Sequence, residues 1–220
     1  MSPAKLIRWS GLISLSAGVL YALGAFLHPV GEDLAAVTSP KWVSAHLVYW
    51  VSVILMQLGL VGLYARQVEK AGWLGLAGFV LAFIGTGLVE SILIMVSTIM
   101  PLIGAEAPTI FDQAMTPPAF LLLLFIGGFG LGYILFGVAT MRAGVLPRWS
   151  GLLLIIGVSF FMISEAPLFD HMLSHVIATI GDIAFGLGLA WAGYALWSSR
   201  PLVAPGSSGM GRSKKPSAAA

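Results

Sequence analysis

The side chains of this chain that could do chemistry are four histidines and a small set of carboxylates. Two of the acids, Glu90 and Asp182, lie inside long apolar stretches of the sequence. An ionisable group at such depth in hydrocarbon costs roughly 3 kcal/mol or more unless it faces the interior of a bundle or finds a partner. Both acids are therefore candidates for function. The histidines lie at the ends of apolar stretches: His28 closes the first, His46 opens the second, and His171 and His175 open the last.

Helical spacing indicates which of these groups can meet. His175, Thr179 and Asp182 stand at i, i+4 and i+7, so they share one face of a helix. His46 and Gln57 stand at i and i+11, which again is one face. We predict that these faces converge on a polar pocket open to the outside of the membrane. The candidate residues for binding a ligand or an ion in this pocket are His46, Gln57, Glu90, His175, Thr179 and Asp182.

Three interpretations of this pocket are open. The acids and histidines could pair only to hold the bundle together, as in a structural or accessory subunit. They could bind or transport a small polar solute, a proton or a cation, with Asp182 and Glu90 as the carriers. They could also serve a metal- or haem-dependent membrane enzyme, in which His46, His171 and His175 hold the metal. The sequence favours a protein that is not an enzyme, and it identifies no cofactor.

The composition of the chain indicates that these residues are held by helices in a membrane. Hydrophobic residues make up 58% of the 220 residues and charged residues only 9%, whereas a soluble domain carries roughly 25% charged residues. There is no cysteine, which excludes disulfides and thiolate metal sites. Continuous apolar runs of about 20 residues predict helices that cross a bilayer. Six such runs occur, at Trp9–Leu27, Trp42–Tyr64, Trp73–Met100, Pro118–Met141, Trp149–Glu165 and Met172–Trp197.

The basic residues predict the orientation of these spans, because cytoplasmic loops are enriched in lysine and arginine. With six spans, only Lys41 falls on the outer side. The other ten fall together on the inner side, and they are Lys5, Arg8, Arg66, Lys70, Arg142, Arg148, Arg200, Arg212, Lys214 and Lys215. We therefore expect both termini on the cytoplasmic side of the membrane, which we expect to be a bacterial plasma membrane. A net charge of +2 gives no indication of nucleic acid, and the bilayer is the one partner that the sequence predicts.

A repeated phrase suggests how the spans are organised. Arg8-Trp9-Ser10-Gly11-Leu12 recurs as Arg148-Trp149-Ser150-Gly151-Leu152, and each copy opens an outward-going span. The simplest interpretation is three helical hairpins in one all-α membrane domain, residues 1–200. Residues 201–220 are rich in Pro, Gly, Ser and Lys and are expected to be a disordered basic tail. The middle outward loop, Pro101–Pro117, is expected to be an irregular lid.

Two stretches carry a resemblance to a known group. Residues 146–154, beginning Leu146-Pro147-Arg148-Trp149, resemble the phrase that opens a span in bacterial six-helix integral membrane proteins with no known activity. Residues 186–197, from Gly186 to Trp197, resemble the final span of the same proteins. The resemblance implies a six-helix fold and no particular chemistry.

Overall fold

A computed structural model describes residues 2–116, 119–165 and 168–199, and helices account for most of them. The described residues include no strand, so the prediction of an all-α chain is confirmed. The predicted tail, residues 201–220, lies outside the described residues. The helices are α1 Pro3–Leu27, α2 Leu34–Val37, α3 Pro40–Ile94, α4 Met100–Glu106, α5 Phe111–Met115, α6 Ala119–Phe125, α7 Leu131–Ala143, α8 Arg148–Ser164 and α9 His171–Ser198.

Four helical runs are long and apolar enough to cross a membrane. They are Pro3–Leu27, Pro40–Glu106, Leu123–Ala143 and His171–Ser198. The apolar helix α8 is shorter, with 17 residues. The run from Pro40 to Glu106 has 67 residues and would extend about 100 Å if it were straight. It therefore must turn back within its length.

The turn occurs at Gly72. Its φ of 59° and ψ of −161° are not helical, and they fall in a region that residues with a Cβ rarely adopt. Gly72 divides α3 into a first arm, residues 40–71, and a second arm, residues 73–94. Gly72 therefore separates two helices that pack against each other.

Contacts between the two arms show that they run in opposite directions. The side-chain amide of Gln57 donates to the carbonyl of Phe83 at 3.1 Å. Nearer the turn, the rings of Tyr64 and Phe79 stack with centroids 4.5 Å apart. Residues later in the first arm contact residues earlier in the second arm. This order of contacts is that of antiparallel helices.

Glycines set the closest approaches between helices. A Cβ added at Gly11 of α1 would lie 2.7 Å from the carbonyl oxygen of Gly193 in α9. One added at Gly18 would collide with the backbone of Gly186. The paired positions again run in opposite order along the two helices. Backbones packed this closely are typical of helices that associate in lipid, where small residues permit contact.

The middle outward loop differs from the prediction. Up to residue 116 it forms short helices rather than an irregular lid. Pro108 opens a 3₁₀ turn, a position where proline is tolerated because no helical N–H is lost. Pro101 lies in the first turn of α4, just after the π-helical turn Met95–Ile99. Phe111 of α5 is buried in a small cluster with Val37 and Trp42. This cluster covers the end of the bundle that carries the histidines, called here the histidine end.

An aromatic core fills the middle of the bundle. Phe185 of α9 lies 4.8 Å from Tyr133 of α7 and 5.3 Å from Tyr21 of α1, measured between ring centroids. Phe129 packs on the same ring at 5.7 Å. Hydroxyl-bearing rings are thus present where a lipid-buried core would be expected to be wholly apolar. The buried hydroxyl of Tyr133 has a hydrogen-bond partner, because the hydroxyl of Thr86 lies 3.0 Å from it.

Candidate functional site

A buried hydrogen bond joins Tyr49 and Asp182. The hydroxyl of Tyr49, on the first arm of α3, donates to Oδ2 of Asp182, on α9, at 2.6 Å. Only 6% of the Asp182 surface is exposed. The second carboxyl oxygen, Oδ1, is also buried and has no hydrogen-bond partner among the described residues. A buried polar atom without a partner costs about 1–3 kcal/mol, and this oxygen has the lone pairs to accept a further proton, ion or ligand atom.

A second tyrosine approaches the same carboxyl group. The hydroxyl of Tyr21, on α1, also interacts with the Asp182 carboxyl, through charge and as a long or poorly aligned hydrogen bond, since it does not meet the full geometry of a hydrogen bond to Oδ1. Its ring lies edge-on to Tyr49 at 5.0 Å and tilted against Phe185 at 5.3 Å. Asp182 is thereby enclosed by residues from three helices, two of which supply phenol hydroxyls.

Three histidines gather beside this pair, at the histidine end of the bundle. His28, which follows the last residue of α1, is the member that touches the others. Its ring centroid lies 4.9 Å from that of His46, 6.0 Å from that of His175 and 6.3 Å from that of Tyr49. His46 is buried, whereas His28 and His175 are partly exposed. The cluster therefore extends from accessible imidazoles towards the buried carboxyl.

Hydrogen bonds fix the protonation pattern of two of these rings. Nδ1 of His28 lies 2.8 Å from the carbonyl oxygen of Pro29, and Nδ1 of His46 lies 2.9 Å from that of Trp42. A carbonyl oxygen can only accept, so the proton of each neutral ring is on Nδ1. Nε2 then carries the free lone pair. Both imidazoles present a proton acceptor to their surroundings.

Trp42 holds His46 and His28 in place. Its ring centroid lies 4.1 Å from that of His46 and 5.3 Å from that of His28. Its indole N–H donates to the carbonyl of Val96 at 2.8 Å, within a π-helical turn, Met95–Ile99. Such turns recur at functional sites. Here the turn directs a carbonyl at the tryptophan that positions the histidines.

The surroundings of His28 keep its imidazole neutral near pH 7. Partial burial of the ring is the main cause, and it lowers the pKa of His28 from its ordinary value of 6.5. Charge repulsion from His175 lowers this pKa further, while the hydrogen bond to Pro29 partly opposes the shift. A histidine that is neutral at the pH of its surroundings can accept a proton and release it again.

Two of the remaining predicted pocket residues bond to the backbone rather than to the carboxyl group or the imidazoles. Gln57 uses its amide to join the two arms of α3. The Thr179 hydroxyl donates back to the carbonyl of His175 at 2.8 Å. Glu90 is half-buried, and no hydrogen bond of His46 or Asp182 within the described residues involves it.

The predicted metal ligands are only partly together. His171 is exposed at the first position of α9, outside the ring contacts that join His46 and His175 to His28. Across residues 2–116, 119–165 and 168–199, no three His, Asp or Glu side chains are arranged to hold a metal ion. The metal set of His46, His171 and His175 stays a prediction.

Two residues of the site, Tyr21 and Tyr49, were missed in the sequence, and His28 was noted but not placed in the predicted pocket. Tyr49 comes three residues after His46, and Tyr21 comes seven before His28, so each shares a helix face with a histidine. That spacing was a usable signal. Tyrosines near the ends of spans are commonly placed at the lipid–water interface. A tyrosine that faces the interior of the bundle is therefore hard to recognise from sequence.

The chain was compared with protein-family models, with curated proteins and with solved structures. None of the three comparisons finds a significant match.

Proposed function

We propose that this chain is a six-span integral membrane protein of a bacterial plasma membrane, and that it binds or transports a proton or small cation at Asp182, reached from the outer face. The observation that carries the proposal is the buried carboxyl of Asp182, which has one oxygen bonded to Tyr49 and the other without a partner. Ionisable groups at membrane depth mark ion and proton pathways.

Six spans follow if the run from Pro40 to Glu106 crosses the bilayer twice. Gly72 gives it a point of reversal, and each arm is then long enough for one crossing. The remaining short helix, α8, has 17 residues and a length of about 26 Å. That length is at the lower limit for a hydrocarbon layer of about 30 Å. Neighbouring helices run antiparallel, as α1 and α9 do and as the two arms of α3 do, and this also supports six spans.

The orientation is supported by the end of the bundle opposite the histidine end. Arg8 of α1 donates from Nε to the carbonyl of Trp197 in α9 at 2.9 Å, so the two terminal helices meet there. Exposed tryptophans mark the same end, with Trp9 51%, Trp73 84% and Trp149 65% exposed. Tryptophan favours the membrane interface, and arginine the cytoplasmic side. The histidine end would then face outward.

The infrared spectrum of the purified protein in lipid tests the function. A carboxylic acid that gains a proton in an apolar site gives a C=O stretching band separate from those of exposed carboxyls. We expect one such band to form as pH falls and to vanish in Asp182→Asn. The matched control is Asp112→Asn, which removes an exposed acid of α5 and should leave the band intact.

Cations are tested on the same samples. Added Na⁺, K⁺ or Ca²⁺ should shift the Asp182 band if one of them binds at the carboxyl group, whereas a proton site would respond only to pH. An Asp182 band that changes neither with pH nor with these ions would refute the proposal. The accessory-subunit interpretation would then hold, with the Tyr49–Asp182 bond serving stability alone.

A further inference from the structure

We propose that the ion taken up at Asp182 is a proton, and that it arrives through His28 and the hydroxyl of Tyr49. This inference rests on the proposed function and adds the identity of the ion and its route. It depends on the placement of three side chains from different elements. His28 follows α1, Tyr49 belongs to the first arm of α3 and Asp182 belongs to α9.

The surroundings of Asp182 suit a proton better than a metal cation. Calcium takes six to eight oxygen ligands, and magnesium requires six in an octahedron. Within the described residues, the Tyr49 hydroxyl bonds to the Asp182 carboxyl, the Tyr21 hydroxyl interacts with it, and Glu165 acts on it through charge alone. The rings of these tyrosines and of Phe185 fill the adjoining space. A proton needs a single oxygen, and Oδ1 or Oδ2 supplies it.

His28 is placed to take the proton from water. It is partly exposed, while His46 and Tyr49 behind it are buried. Its Nδ1 is bound to the carbonyl of Pro29, so the free acceptor is Nε2. The titratable rings that face it are His46 and Tyr49 from α3 and His175 from α9. No carboxylate makes a hydrogen bond to it within the described residues, so a proton gained there is not held by an ion pair.

The transfer from His28 to Asp182 balances without a charged tyrosine. The N–H bond at Nε2 of protonated His28 breaks, and a new O–H bond forms on the Tyr49 oxygen, directly or through one water. The original Tyr49 proton passes along the 2.6 Å hydrogen bond to Oδ2. His28 is neutral again, Tyr49 keeps one proton and Asp182 becomes an uncharged acid. Tyr21 and Glu165 are the other titratable groups whose charge interacts with Asp182.

The test measures the rate at which Asp182 gains its proton. Protein in lipid is mixed rapidly from high to low pH while the infrared band removed by Asp182→Asn is followed in time. We expect His28→Gln and Tyr49→Phe each to slow its appearance by about a hundredfold, the low end of what a positioned proton-transfer group contributes. The final size of the band in His28→Gln should match that of the unmodified chain.

Two controls make the result specific. His171→Gln changes an exposed histidine of the same end that lies outside the ring contacts of His28, and the rate should not change. In His28→Gly, added imidazole should restore the lost rate, which a purely structural defect would not allow. An unchanged rate in His28→Gln, or slowing without rescue, would overturn the route while leaving the function standing. Absence of any titrating Asp182 band would instead remove the function itself.

Discussion

The hydroxyl of Tyr49 and the carboxyl of Asp182 are joined at 2.6 Å although 133 positions separate them in the chain. The bond crosses from the first arm of α3 to α9 in the interior of the bundle, where water does not compete for either group. Hydrogen bonds to an ionised group are roughly twice as strong as neutral ones. The protonation of Asp182 and the packing of these two helices are therefore coupled.

Removal of the hydroxyl in Tyr49→Phe should destabilise the folded protein. The substitution keeps the ring but leaves both carboxyl oxygens of Asp182 without a partner, at a cost of about 1.5–3 kcal/mol for a bond to a charged group. Unfolding in mixed micelles measures the loss. Tyr194→Phe is the matched control, because Tyr194 is 54% exposed, and its stability should equal that of the unmodified chain. Equal stability of both variants would contradict a structural value for the bond.

Acidification should destabilise the bundle through His28. Since the pKa of His28 is lowered in the folded protein from 6.5, the unfolded chain binds more protons between the two values. Stability is then complete above about pH 6.5 and falls as the pH drops towards the folded pKa. Thermal unfolding in detergent at a series of pH values measures this. His28→Gln, which cannot titrate, should show a shallower decline, and an identical decline would refute the assignment.

The sequence predicts the helices of the fold well, because they depend on local properties of the chain. Continuous apolar runs are sufficient to predict helices, and the described residues are helical without strands. The predicted boundary between the spans at 42–64 and 73–100 coincides with Gly72, whose backbone is not helical. A glycine is compatible with both a helix and a reversal, and tertiary contact decides between them. The prediction that the loop from Pro101 is irregular was wrong up to residue 116, because a proline such as Pro108 can also begin a helical turn.

The site was harder to predict, because it depends on which helices become neighbours. The shared face of His175 and Asp182 was visible in their spacing. The approach of His28 and Tyr49 to that face comes from the packing of α1 against both α3 and α9, which no periodicity within one helix reveals. Gln57 shares a helical face with His46, yet its amide reaches the opposite arm at Phe83. A face is broad enough to serve two neighbours.

Substitution of the glycine at the reversal should cost more than substitution of a glycine in a helix. Gly72→Ala meets open space, so its penalty comes from the backbone conformation alone, about 1–3 kcal/mol. Gly127→Ala also meets open space but lies in a helical segment without positive φ, so it should be neutral or stabilising by up to about 1 kcal/mol. Unfolding in micelles compares the two. A neutral Gly72→Ala would show that the arms do not need this turn.

Single cysteines test the orientation, and they report cleanly because the chain has none of its own. In intact cells, a maleimide that cannot cross membranes should label Asp112→Cys of α5 and leave Glu69→Cys, near Gly72, unlabelled until the cells are opened. Both parent side chains are exposed, so the membrane is the expected barrier. Leu123→Cys, in the apolar helix α6 with 70% exposure, should react poorly on either side because lipid surrounds it. Labelling of Glu69→Cys but not Asp112→Cys from outside would reverse the orientation, and the histidine end would then open to the cytoplasm.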